Sequence, residues 1–212
     1  MNHSPSPGRL AQQPVEYEIM TFPRKSFLRN DKGVAAIEMA FIMPFMLLLY
    51  FGLVDITVLI SLNRKITAAA STTADLVTQQ RNSVLKSYIA DTFNATALIM
   101  VPTAASEVRV EVFGYRTVSG TITNIWSTNN GLGPSCGNAP STSNMANLMT
   151  AGNDVIVART CMNFTPAVAT FLGTNIVGAT TFLLNQSISI RPRTTLQLNC
   201  YQTTVAAGTL CS

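Results

Sequence analysis

Residues 34–62 read VAAIEMAFIMPFMLLLYFGLVDITVLISL, and this stretch decides the architecture. From Met39 to Val54, sixteen consecutive residues carry no charge, and after Asp55 the apolar character resumes through Leu62. A helix rises about 1.5 Å per residue, so Val34–Leu62 would measure about 43 Å against a hydrocarbon core of about 30 Å. We assign 34–62 as a transmembrane helix, long enough to cross a membrane and protrude from it. A secretory signal peptide has a shorter apolar region, about 7–15 residues. Ala68-Ala69-Ala70 has the small side chains of a signal cleavage site, but Arg64 and Lys65 stand between it and the apolar run.

Residues 1–33, upstream of the helix, are a polar leader. Ser, Pro, Gln and Gly dominate its first half, and five basic residues (Arg9, Arg24, Lys25, Arg29, Lys32) stand against three acidic ones. Only Arg64 and Lys65 closely follow the apolar segment. The positive-inside rule therefore places the leader in the cytoplasm and the C-terminal part outside.

The whole chain has 212 residues, 47% hydrophobic and only 11% charged. A soluble domain is typically about 25% charged. General disorder is excluded, because it needs few apolar residues and high net charge. The uneven distribution of apolar residues argues against a multi-span transporter. Net charge is +4, but residues 66–212 hold seven basic and five acidic residues with no basic stripe among aromatics. No nucleic-acid partner is expected.

Downstream, residues 63–102 read as a helical continuation that packs on a head. Leu76, Val77, Val84, Leu85, Tyr88, Ile89 and Phe93 recur at helical spacings, and Pro102 closes the run. Residues 103–212 change period. Val108, Val110 and Val112 alternate with Glu107, Arg109 and Glu111; Thr121–Trp126, Asp154–Ala158 and Phe182–Ile190 are β-rich. Asn129–Ser143, crowded with Gly, Pro, Asn and Ser, reads as a long loop. The fold class is α+β: a long N-terminal helix, its first half transmembrane, then a head with one antiparallel sheet of about four strands packed on helix.

Cys136, Cys161, Cys200 and Cys211 all lie in the head, and the only histidine is His3. An even count with no metal-ligand spacing points to an oxidising compartment and two disulfides. Four reduced thiols are the alternative. Of three possible pairings, the sequential one (Cys136–Cys161, Cys200–Cys211) is slightly preferred, because its second bond staples the tail.

Glu38 is the residue that a plain anchor would not need. A carboxylate at the bilayer centre costs about 2.5–3.5 kcal/mol, less toward the edge. With the membrane beginning near Val34, Glu38 lies about 6 Å inside. Either it reaches interfacial water or it has a specific positive partner. Cleavage after Gly33 would supply one: Val34 would carry a free α-amine, and Glu38 would be the fifth residue of the mature chain. Amine and carboxylate could then pair between neighbouring, axially shifted helices, where an unpaired charge is costly.

The run Phe27-Leu28-Arg29-Asn30-Asp31-Lys32-Gly33-Val34-Ala35-Ala36-Ile37-Glu38-Met39-Ala40, with Pro44 and Gly52-Leu53-Val54-Asp55, resembles the N-terminus of TadE-like proteins. These are pseudopilins of the tight-adherence (Tad, or Flp) pilus system, within the type IV pilus and type II secretion superfamily. Asp154–Ala158, Asn163–Pro166 and Ser189–Arg193 resemble the family's distal strands. Met39 follows Glu38 where the family often has Tyr. The resemblance implies a minor pilin fold with a periplasmic head and a bacterial inner-membrane location. It implies cutting by a prepilin peptidase after Gly33. Partners would be that peptidase, other pilins, inner-membrane pilus platform proteins and the membrane. TadF, or the TadG family with its much larger extra domain, is the alternative within the system. A single-pass anchored periplasmic binding module outside any pilus is the rival.

Pro44 removes one helical hydrogen bond and can kink the helix. Asp55 lies about 260° around the helix from Glu38, so the two acids do not share a face. Asp55 reads as an acid at the outer interface, with a cap or an intersubunit contact as alternatives. Glu107 and Glu111, sharing one strand face with Arg109, read as a solvated charge row. Without a head histidine, Ser–His and Cys–His pairs and histidine-based metal sites are absent. No Gly-rich phosphate loop follows a strand. No catalytic residue, cofactor, metal or small-molecule substrate is expected.

Overall fold

The computed structural model describes residues 33–81, 83–149, 153–173, 181–193, 197–203 and 210–211. Of the leader assigned to 1–33, all but Gly33 lies outside the described residues. The chain divides into two compact units, 1–45 and 46–212. In the first, the described residues are Gly33 and the opening turns of helix α1, all of them exposed. The second holds the rest of α1 and the head.

Helix α1 runs from Val34 to Thr78 without a break; Leu62 packs partly buried against the core, and full burial begins at Ile66. The residues buried there are mostly small: Ala69, Ala70, Thr73 and Ala74 let neighbours approach closely. Ala69 and Ala70, weighed above as part of a signal cleavage site, are core residues in mid-helix.

The helical continuation over 63–102 is not one helix. Gln79–Arg81 turn the chain, Ser83–Leu85 form strand β1, and helix α2 spans Lys86–Ile99. Contacts with α1 give the direction. Tyr88 reaches the Leu76 carbonyl, the hydroxyls of Thr96 and Thr73 share a 2.7 Å hydrogen bond, and Lys65 Nζ donates to the Val101 carbonyl at 2.6 Å. Partner numbers fall as α2 numbers rise, so α2 runs back antiparallel along α1. Val77, Val84, Ile89 and Phe93 do share one core. They reach it from two helices and a strand, which is why a single helical period could be read through the break.

The head sheet has strands β2 (Val108–Val118), β3 (Thr121–Asn129), β4 (Asp154–Phe164) and β5 (Phe182–Ile190), ordered β3-β2-β4-β5 and antiparallel throughout. The fold is thus the α+β architecture read from the sequence. Ser119 and Gly120 join β2 to β3, both with positive φ, as a two-residue type I′ hairpin requires. A short helix α3 (Ala167–Leu172) follows β4, and β6 (Asn199–Tyr201) pairs in parallel with β1.

Central strand β4 is buried on both faces. Ile156, Ala158 and Met162 join Val108, Val110, Val112 and the helices in the main core. Val155 and Val157 join Tyr115 and Met145 in a smaller core under the 3₁₀ segment Thr142–Leu148. The loop after β3 therefore covers the outer face of the sheet.

Candidate functional site

The residues singled out by the sequence fall at three levels along α1 and in the head. Gly33 is exposed, and a Cβ added there would meet nothing within 4 Å among the described residues; Val34, 53% exposed, begins the helix. Glu38 is exposed one turn later, and none of the ion pairs among the described residues engages it. The chain stays helical through Pro44. An eighteen-residue window of α1 has a mean hydropathy of 2.3 and no buried residue. Phe41, Phe45, Tyr50 and Leu53 are among its side chains that stay more than half exposed among the described residues.

Asp55 is engaged within the chain. Its carboxylate accepts from the Ala167 amide at 2.8 Å and the Val168 amide at 2.9 Å, the first two N–H groups of α3. These groups have no partner inside the helix, and the residue before them, Pro166, supplies no side-chain cap. Asp55 provides that cap from another element, and its charge also complements the positive helix end. Of the alternatives left open for Asp55, the structure assigns the cap. Farther along α1, Gln186 of β5 donates to Asn63 at 3.1 Å, and Arg193 pairs with Asp75.

Two buried polar networks stiffen the head. Asp154 accepts from Arg116 Nε at 2.6 Å and Nη2 at 2.9 Å, and from the Leu198 amide at 2.6 Å; Arg116 also reaches Asn199. One carboxylate thereby joins β2, β4 and the C-terminal segment. Its hydrogen bond holds the Arg116 guanidinium above its ordinary pKa. Glu111 accepts from Arg109 at 2.6 Å and from Arg159 at 2.6 and 3.1 Å. Arg159 continues to the carbonyls of Gly137 and Asn138 and lies over the Phe113 ring. The solvated charge row thus needs correction. Glu107 is exposed, but the loop after β3 covers Glu111, and its pairing with Arg159 holds that loop down.

Cys136 bonds Cys161, pinning the same loop to β4, and Cys200 bonds Cys211, tying the C-terminal segment to β6. Nothing in the spacing of charges announced the Asp154 hub. The only hint was that Asp154 opens the apolar run Val155–Ala158.

An apolar helix with an 18-residue window unburied among the described residues, followed by a disulfide-bonded α+β head, defines a protein with one candidate membrane span among those residues. Residues 33–75, almost coextensive with α1, match the family model described as TadE-like protein. That match holds Gly33, Glu38, Pro44 and Asp55, the positions on which the resemblance rests, and over this helix the chain is similar to TadE-like proteins. No curated protein and no solved structure matches the chain.

Proposed function

We propose that this chain is a minor pilin or pseudopilin that takes part in assembling a Tad-type pilus. The observation that carries the reading is the TadE-like match over a helix whose spanning surface is bare. In this reading α1 anchors the protein in the bacterial inner membrane, with its N-terminus cytoplasmic and its head periplasmic. A prepilin peptidase cuts after Gly33. The new Val34 amine pairs with Glu38 of a neighbouring subunit, so that neither charge is left alone among apolar helices. Other pilins and the pilus platform are the partners. The head works by contact rather than catalysis, which is supported by the arginines that engage Glu111, Asp154 and Asp75.

Intact mass of the protein from cells with and without the prepilin peptidase tests this. The expected result is a mature chain beginning at Val34 only where the peptidase is present. An unprocessed chain in both strains favours an anchored module outside the pilus. Glu38→Ala is expected to insert normally and to lose pilus assembly; normal piliation would sink the pairing.

A further inference from the structure

Thirty-one consecutive residues of the head, Thr160–Ile190, carry no charge, and nor does α1 between Asp55 and Arg64. The structure brings described parts of both segments to one level. Asp55 holds the start of α3, three residues after Phe164, and Phe164 pairs with Phe182 in the sheet. Asn63 holds Gln186. From Asn63 back to Asp55 the helix rises about 12 Å, and from Gln186 back to Phe182 the strand covers about 13 Å. Phe182 and Leu183 therefore lie near the level of Asp55. They remain 49% and 43% exposed, pointing to opposite faces of the edge strand β5. Ile56, Val58 and Ile60, on the adjoining two turns of α1, are exposed as well.

We infer that this end of the head, with Phe182 and Leu183 at its rim, rests in the headgroup layer of the bilayer and forms an apolar collar around the emerging helix. The inference rests on the membrane-anchor reading above. Val34–Val54 as helix rises about 32 Å, which matches the hydrocarbon core, so the span ends at Asp55. The polar layer beyond is about 6 Å deep on each side, and Ile56–Ile60 rise through about that distance. A lipid interface suits large apolar side chains that carry no neighbouring charge. The single acid at this level is already engaged by the α3 amides, so the collar can enter the layer without an unpaired charge. Leu98, 74% exposed, makes a contrast: it lies in α2 near Lys65, about 15 Å farther along α1, beyond the headgroups.

The test uses full-length protein reconstituted in phosphatidylcholine vesicles, with lipid brominated at shallow acyl positions as quencher. Leu183→Trp and Phe182→Trp each add one exposed indole to the native, buried Trp126, and Leu98→Trp is the control. The added emission at 183 and 182 is expected to be blue-shifted and mostly quenched, and that at 98 to be neither. Unquenched emission at 182 and 183 in protein that floats with the vesicles overturns the collar. A blue shift without bromine quenching also overturns it, because protein rather than lipid then covers the site. Equal quenching at 98 refutes its restriction to this end. Protein that fails to float overturns the membrane-anchor reading itself.

Discussion

Gly114 faces Trp126 across the β2–β3 pair, and a Cβ built on it would stand 2.3 Å from the indole Nε1. That nitrogen donates to the Leu198 carbonyl at 2.8 Å, so the missing side chain makes room for a link between sheet and C-terminal segment. Gly114→Ala is expected to displace the ring and to cost about 1–3 kcal/mol. The chain has one tryptophan, so a red shift of its emission together with a lower melting temperature would register the change. Tyr115 behaves differently. Burial raises its phenol pKa above the ordinary value, and the positive charge of Arg159 opposes this only in part. A raised folded-state pKa means that the stabilisation is complete below the unfolded pKa and is lost as pH climbs through the folded one. Denaturant midpoints should therefore fall as pH rises past the unfolded value of about 10, and fall less in Tyr115→Phe. Neither residue stood out in the sequence. A glycine in a strand signals close approach but does not name its neighbour, and an alternating strand does not say that a distant loop covers its outer face.

At the scale of elements, buried and exposed ion pairs of similar geometry should differ widely in worth. Asp154 is 2% exposed and holds Arg116 and the Leu198 amide, so Asp154→Ala takes the carboxylate from a half-buried guanidinium and leaves a buried amide unpaired, and is expected to cost about 3 kcal/mol. Asp75, beside a mostly exposed Arg193, should cost at most about 1 kcal/mol in Asp75→Ala. Thermal unfolding of the full chain in detergent compares the two, and similar losses would contradict the assignment of Asp154 as the hub. Strands β2 and β5 were legible from their alternation, whereas β3 and β4 showed only β-rich composition; β4, buried on both faces, keeps no period of two. The reversal at Gln79–Arg81 was not legible. Its apolar residues keep helical spacing on both sides, and only the antiparallel contacts Thr73–Thr96 and Lys65–Val101 show that the chain has turned.

Over the whole molecule, the two disulfides close loops of different length and tie down different parts. Sequence separations are 25 for Cys136–Cys161 and 11 for Cys200–Cys211. Loop-closure entropy then predicts about 3.5 and about 2.8 kcal/mol respectively. Replacing Cys136 and Cys161 by serine should also free the loop after β3 to proteolysis, whereas replacing Cys200 and Cys211 should free the C-terminal segment; limited proteolysis with mass mapping separates the outcomes. By itself, the sequence determined that one long apolar helix leads a charge-poor α+β head, and that Gly33, Glu38 and Asp55 are the positions to ask about. Those conclusions rest on composition, on periodicity, on lone charges beside an apolar run and on the TadE-like resemblance of the N-terminal stretch, all of them local. The tertiary structure alone decided that α2 folds back on α1, that Glu111 and Asp154 are buried hubs, and that Asp55 caps α3. Each of these joins residues far apart in the chain, and such a pairing leaves no local period in the sequence.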